Sequence, residues 1–369
     1  MDIRTKLALA LVSVSLVSMA ILGAFAYSTT ADLVQRMSIR QLNALAESKS
    51  RDLDKVQEGW RDQLRLIKSR RELATDLEKY LATGDKSALQ TVDHIIQDAV
   101  TAVDDVENIR VLDLNGKAVA AYGKYSEARK AVVPNDPSKV VYNETLIDSR
   151  GQPIVVFSSL LAIDGKAVGV IEAAFNTRKL LTITGNYTGL GKTGEAMVLM
   201  RDAGDTVQVL NPLRHGKDST LARVPLESAS AALRQAISPA DANSGSLSSI
   251  DYRGAPVWAV TRYVPSLNWG LVVKVDKTEE RSSSENLKDD LIDIALSLSA
   301  FAIVGGTALG FYLARPIHDL AVLVRRIRHG EPYLRADDSG DDEIAYLADS
   351  INELMDHMQA QSDDNNIHG

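Results

Sequence analysis

Two predominantly apolar stretches, Leu7–Tyr27 and Leu291–Leu313, stand out from a chain whose apolar and charged positions otherwise alternate. Each has roughly the 20 residues that a helix needs to cross about 30 Å of hydrocarbon. Between them, residues 31–80 carry Leu33, Met37, Leu42, Leu45, Leu53, Val56, Trp60, Leu64, Ile67, Leu73 and Leu77 at helical spacing. Charged residues fill the gaps, so the spacing predicts one long helix with a single apolar stripe. Thr83-Gly84-Asp85 ends it, and Leu89, Val92, Ile96, Val100 and Val103 predict a second helix over 86–103.

The period then changes to two. Asn108–Leu114 and Lys117–Tyr122 read as strands about the turn dipeptide Asn115-Gly116, and Gln152–Leu161 pairs with Lys166–Asn176 around Asp164-Gly165. A similar set follows: strands at Glu195–Arg201 and Thr206–Leu210, a helix over 226–237, then strands at Gly245–Tyr252, Ala255–Tyr263 and Trp269–Val275. Two α/β modules on one stalk helix are the economical interpretation, about 81–180 and about 185–276.

Beyond the second apolar stretch the helical period returns. Ile317, Leu320, Val324 and Ile327 sit at 3-4-3 spacing, and Ile344, Leu347, Ile351, Leu354 and Met358 at 3-4-3-4. Both are coiled-coil seams. Pro316 is tolerated in a first helical turn, Gly330 and Pro332 end the first helix, and Asp341, Asp342 and Glu343 suit the positive N-terminus of the second. Each helix offers only one stripe, so two of them cannot enclose a core alone.

The layout is therefore a cytoplasmic N-terminus (1–6), a first span (7–27), an exported domain (28–290), a second span (291–313), a helical pair (314–362) and a polar tail (363–369). Arg4 and Lys6 flank the first span, and Arg315, Arg325, Arg326 and Arg328 follow the second, which places both flanks in the cytoplasm. Ala24-Phe25-Ala26 also fits a signal-peptide cleavage site, but the apolar run exceeds the usual apolar core of about 7–15 residues. Either reading exports the middle of the chain.

Composition removes several function classes. A net charge of −8 argues against nucleic-acid binding. With no cysteine, disulfides and thiolate metal sites are excluded, and the six His lack metal-motif spacing. No cofactor or metal is expected. Gly191-Lys192-Thr193 suggests a phosphate-binding loop, but Asn186 stands where the first glycine belongs, and a strand follows rather than precedes the segment. A glycine-rich turn between modules is the better reading.

The segment Gly189-Leu190-Gly191-Lys192-Thr193-Gly194-Glu195, then Asn211-Pro212-Leu213-Arg214, and Trp269-Gly270-Leu271-Val272-Val273-Lys274-Val275-Asp276 resemble double Cache (PDC-like) sensor domains. Pro316, Gly330 and Asp342-Glu343-Ile344 resemble a HAMP domain over 314–362. The resemblance implies an α+β protein: two transmembrane helices, a stalk helix with two PAS-like antiparallel-sheet modules, and a HAMP pair forming a parallel four-helix bundle in a homodimer. It also implies a small ligand, a carboxylate, an amine or similar, bound in the first module. Candidate pocket residues are Arg110, Tyr122, Tyr142 and Arg150, with Glu172 as a cation partner. An arginine suits a carboxylate through paired hydrogen bonds. Taken singly, each residue is also readily explained as a surface ion pair or a sheet aromatic. Pro316, Gly330, Asp342, Glu343 and Ile344 are the candidate relay residues.

The expected function is a receptor of the bacterial inner membrane, with its sensor domain in the periplasm, that passes a ligand-induced change to the cytoplasm. The residues present contain no kinase or cyclase motif, so no enzymatic activity is expected of them. Output would come from a cytoplasmic signalling partner, or the chain is the input half of a sensor histidine kinase or diguanylate cyclase. A membrane-anchored binding or scaffold protein is a third reading.

Overall fold

The structure, a computed structural model, describes residues 3–124, 132–202, 204–216, 222–243 and 245–367. It divides into two compact units, Val34–Ser282 and a second made of Met1–Leu33 with Ser283–Gly369.

The larger unit is organised by helix α1 (Ile3–Lys68), whose Leu42, Leu53, Trp60, Leu64 and Ile67 are buried as the predicted stripe requires, with Ala46 beside them, whereas the predicted Leu33 and Met37 are exposed. The single helix expected over 31–80 is two. α1 stops at Lys68, Arg70 is extended (φ −66°, ψ 106°), and α2 (Arg71–Thr83) follows. Neither glycine nor proline marks the break. Packing decides it, because Leu73, Ala74 and Leu77 of α2 enter the same core as Leu64 and Ile67. Gly84, at φ +72°, ends α2 with its N–H on the Tyr80 carbonyl. Asp85 caps α3 (Lys86–Ala102) by accepting from Ser87 N at 2.8 Å.

Strands β1 (Val106–Leu112), β2 (Ala118–Gly123), β3 (Val141–Ile147), β4 (Pro153–Ile163) and β5 (Lys166–Asn176) form an antiparallel sheet in the order β2-β1-β5-β4-β3. β3 escapes the sequence pattern because a register shift between Tyr142 and Glu144 breaks its alternation. A short helix, α4 (Arg178–Gly185), leads to the second module. There β6 (Glu195–Asp202), β7 (Thr206–Val209), β8 (Arg223–Pro225), β9 (Ser246–Ile250), β10 (Pro256–Val264) and β11 (Trp269–Asp276) order as β8-β7-β6-β11-β10-β9. Apart from the three-residue β8, the second sheet repeats the first: two strands in a hairpin, with the last strand inserted between the first and the fourth. Helix α5 (Ala231–Ala236) is shorter than the predicted 226–237, since turns at Ser228 and Ala229 precede its cap, Ser230.

One face of each sheet feeds a shared core. Ile109, Val111, Phe157, Ile171, Ala173 and Phe175 of the first sheet join Val198, Val260, Leu271 and Val273 of the second against the helices. Trp60 lies 6.3 Å from the Phe157 ring and 6.2 Å from that of Phe175. Two polar contacts pin the modules. Trp269 Nε1 donates to Thr145 Oγ1 at 3.1 Å. Lys49, buried on α1, donates to the carbonyls of Ile183 and Asn186 at 2.6 and 2.9 Å, which satisfies acceptors at the end of α4. Burial lowers the Lys49 pKa.

In the smaller unit, α1 and α6 (Lys277–Arg328) each contain a stretch long and apolar enough to cross a membrane, and almost none of those stretches is buried by protein. They approach through small residues. A methyl at Gly310 would lie 2.8 Å from Ala8 Cβ, and one at Gly306 would lie 3.1 Å from Val12 Cγ2. Gly306 and Gly310 are four residues apart and therefore share a helix face. Pro316 lies inside α6. Gly330, at φ +108°, follows the helix end. Asp342 Oδ1 accepts from Ile344 N (3.1 Å) and Ala345 N (2.9 Å), capping α7 (Glu343–Ile367). Among the described residues, those buried on α7 are Ala345, Ala348 and Met355, whereas the predicted seam residues Leu347, Leu354 and Met358 stay exposed. The connector is anchored by Asn352, whose amide accepts from Ala336 N (2.7 Å) and donates to Ala336 O (3.0 Å).

Candidate functional site

Alternation along the first sheet places its polar residues. Ile109 and Val111 enter the core, so Arg110 between them projects from the other face; Glu172, between Ile171 and Ala173, does the same. The two are direct cross-strand partners on β1 and β5. Arg110 Nε and Nη2 donate to Glu172 Oε1 at 3.0 and 2.8 Å, and the side chains are only 10% and 3% exposed. Ser158 on β4, opposite Glu172, extends the row; its hydroxyl lies 2.8 Å from Asn143 Oδ1 and 3.3 Å from the Val132 carbonyl. Asn108, two residues before Arg110, donates to the Tyr122 carbonyl at 3.0 Å. Apolar clusters flank this row, Ile154, Val156 and Ala174 in one and Leu112, Leu160 and Val170 in the other.

Removing two charges from water costs several kcal/mol per ion, about, before their attraction returns it. A buried pair of this kind is therefore weak evidence for stability. A guanidinium can take a carboxylate, and a glutamate can take an ammonium.

The other three candidates do not join this pair. Tyr122 is opposite Ile109 in the ladder, which puts it on the helix-facing side of the sheet from which Arg110 points away. Tyr142 is opposite Phe157 and packs edge-on against it at 5.9 Å in the core, where burial raises its phenol pKa; its hydroxyl lies 2.9 Å from Thr145 Oγ1. Arg150 lies in the β3–β4 turn, 60% exposed, with Nε donating to Asp148 Oδ2 at 2.8 Å. The expected five-residue cleft is thus a two-residue pair with Asn108, Ser158 and Asn143 beside it. Strict alternation from Ile109 would have separated Arg110 from Tyr122 and found Asn108. Ser158 and Asn143 carry no sequence signal of their own.

The second sheet holds a comparable pair with the charges exchanged. Glu195 on its first strand is opposite Lys274 on its last. Lys274 Nζ lies 3.1 Å from Glu195 Oε2, 2.6 Å from Asp251 Oδ2 and 4.2 Å from the centre of the Tyr252 ring. Tyr252 donates its hydroxyl to Glu195 at 3.0 Å, and Arg253 bridges Asp251 and Asp276. Burial works to raise the Asp251 pKa, but hydrogen bonds from Lys274 and Arg253 prevail and lower it. Burial and the Glu195 charge push the Tyr252 phenol up.

The glycine-rich turn before β6 holds an anion, but an internal one. Glu279, near the start of α6, accepts from Lys192 N and Thr193 N, both at 2.8 Å, and from the Thr193 hydroxyl. Gly191 sits at φ +63°, and a Cβ there would collide with Glu279 Oε1. On the other side Gln41 of α1 donates to the Gly189 carbonyl at 2.7 Å. No cluster of three or more histidine or acidic side chains able to hold a metal occurs among the described residues.

No family model matches the chain. No curated protein matches it either. Structural neighbours are ligand-binding sensory domains of bacterial chemoreceptors. The Campylobacter jejuni chemoreceptor Tlp3 sensory domain with isoleucine bound is 11% identical with a TM-score of 0.46, over 69% of this chain and 98% of that one. The Pseudomonas aeruginosa PctC domain with GABA is 13% identical with a TM-score of 0.41, over 64% and 99%. The Pseudomonas fluorescens CtaA domain with L-leucine is 16% identical with a TM-score of 0.42, over 68% and 99%. At these values the likeness says nothing about a ligand for this chain, and the fold description rests on its own strand order.

Proposed function

We propose that this chain is a membrane-anchored receptor that binds a small extracytoplasmic ligand on the outer face of its first sheet. The observation that carries the reading is the Arg110–Glu172 pair, buried between two apolar clusters. The ligand class follows from its chemistry: a small molecule bearing a carboxylate for Arg110, an amine for Glu172, or both.

The apolar stretches of α1 and α6 would anchor the chain in an inner membrane, with the basic flanks inside. Binding must favour one of two helix arrangements over the other, or nothing is transmitted. The segment from Pro316 through the Asp342 cap would receive that bias as a HAMP-type pair in a homodimer. The exposed Leu347, Leu354 and Met358 offer the apolar edge that such pairing needs.

The test is calorimetric titration of the full chain in lipid nanodiscs with amino acids, dicarboxylates and small amines. Binding of at least one class is expected, with at least tenfold loss in Arg110→Ala and in Glu172→Gln. Binding that survives both substitutions unchanged would remove the site from this face.

A further inference from the structure

The second module contains a cavity that the sensing role assigned to the first module does not use. It has a volume of about 140 Å³ and lies between the sheet and α5. Met197, Val209, Val257 and Val272 form its floor, and Ala232 and Leu233 its roof. It occupies the same face of the repeated strand order as the Arg110–Glu172 row, and Lys274, Asp251 and Tyr252 close one end.

Those closing groups are all engaged. Lys274 is held by Glu195, Asp251 and the Tyr252 ring, Asp251 also by Arg253, and the Tyr252 hydroxyl by Glu195. The serines on the wall are engaged too. Ser228 donates to the Pro225 carbonyl at 3.1 Å, Ser230 accepts from Leu233 N at 3.4 Å, and Ser249 accepts from Ala232 N at 3.3 Å. An anion entering here would meet Asp251, and a cation would meet Lys274. Lys274, Asp251, Glu195 and Arg253 each already hold two or more partners, so one charged group on a ligand cannot replace what it would displace, and it would lose its hydration. A cavity of about 150 Å³ lined by aliphatic side chains takes one benzene ring.

We propose that the second module is a separate binding site for a compact, uncharged and mainly apolar molecule about the size of a benzene ring. The proposal stands independently of the ligand of the first module.

Methionine methyl resonances read it directly. Met197 faces the cavity, whereas Met200, on the same strand, points into the opposite core. In the full chain, labelled at its methionine methyls and held in nanodiscs, benzene is expected to shift the Met197 signal saturably and leave Met200 in place. Butyrate and butylammonium, of similar size but charged, are expected to leave both signals in place. Ala232→Leu fills the cavity from α5 and Val257→Phe fills it from β10; either is expected to weaken the benzene response at least tenfold. Should one variant fail to fold, the other decides. A Met197 signal that never saturates, a response unchanged in the folded variant, or equal responses to the charged probes would each overturn the proposal.

Discussion

At the scale of single residues, Arg110 and Glu172 are informative because each is buried against the other. Arg110→Met removes two hydrogen bonds from the buried Glu172 carboxylate, and breaking a buried pair costs about 3–5 kcal/mol. A double-mutant cycle with Glu172→Met, read by urea unfolding, is expected to show non-additive coupling between the two. Strict additivity would show that the pair is not coupled. Glu279 gives a pH prediction. Burial works to raise its pKa, but hydrogen bonds from Thr193 and Lys192 prevail and lower it. A depressed carboxyl contributes in full above its unfolded value, about 4.3, and loses that contribution as pH falls through the lower folded value. Protection of the Lys192 and Thr193 amides, taken relative to their intrinsic exchange rates, is therefore expected to fall as pH drops below the ordinary glutamate value of about 4.3. In Glu279→Gln protection should be lower at neutral pH and independent of acid; constant protection in the wild type would refute this.

At the scale of elements, the legible parts were those with a local chemical signal. Asn115-Gly116, Asp164-Gly165 and Arg253-Gly254 each turn between paired strands, with positive φ at Gly116, Gly165 and Gly254. Asp342 caps its helix as its position implied. The parts that were not legible were decided by distant contacts. The break at Ser69–Arg70 has no helix-breaking residue, β3 hides its period behind a bulge, and Tyr122 was grouped with Arg110 although one residue of register puts them on opposite faces. On α7 the predicted seam residues Leu347, Leu354 and Met358 are exposed, and the buried contacts run through Ala345, Ala348 and Met355. Element packing yields two more expectations. Gly310→Leu adds bulk where even a methyl would lie 2.8 Å from Ala8, so it should separate the two apolar helices, lengthening spin-label distances across them by several ångströms, about the width of the added side chain. Thr145→Val keeps the side-chain volume and removes the acceptor of Trp269 Nε1 and the partner of the Tyr142 hydroxyl, with an expected loss of about 1–3 kcal/mol in thermal unfolding. No change in Tm would mean that the bond does not hold the modules together.

At the scale of the whole molecule, the repeated strand order with reversed charge polarity means that one architecture is used twice with different chemistry. The first face is built around an ion pair between buried apolar clusters, and the second around an apolar cavity closed at one end by a cluster of paired charges. The chain has no cysteine, so a single introduced thiol reports on self-association without interference. Leu354→Cys places it on the exposed edge of α7. Mild oxidation in membranes is expected to double the apparent mass, and Ile351→Asp in the same chain should abolish that product. Persistent monomer in the first variant would count against the homodimer.

The Glu279 contact carries one more consequence, in terms of competition. The Lys192 and Thr193 amides can serve one acceptor at a time, and theirs is tethered to the same chain. A short tether gives an effective concentration in the millimolar range or above, about that of the strongest intramolecular partners. Acetate, phosphate or sulfate in the surrounding solution must compete against that value before displacing it. The turn is thereby shielded from the ionic composition of its surroundings, and what disturbs it is a shift of α6 that carries the carboxylate away.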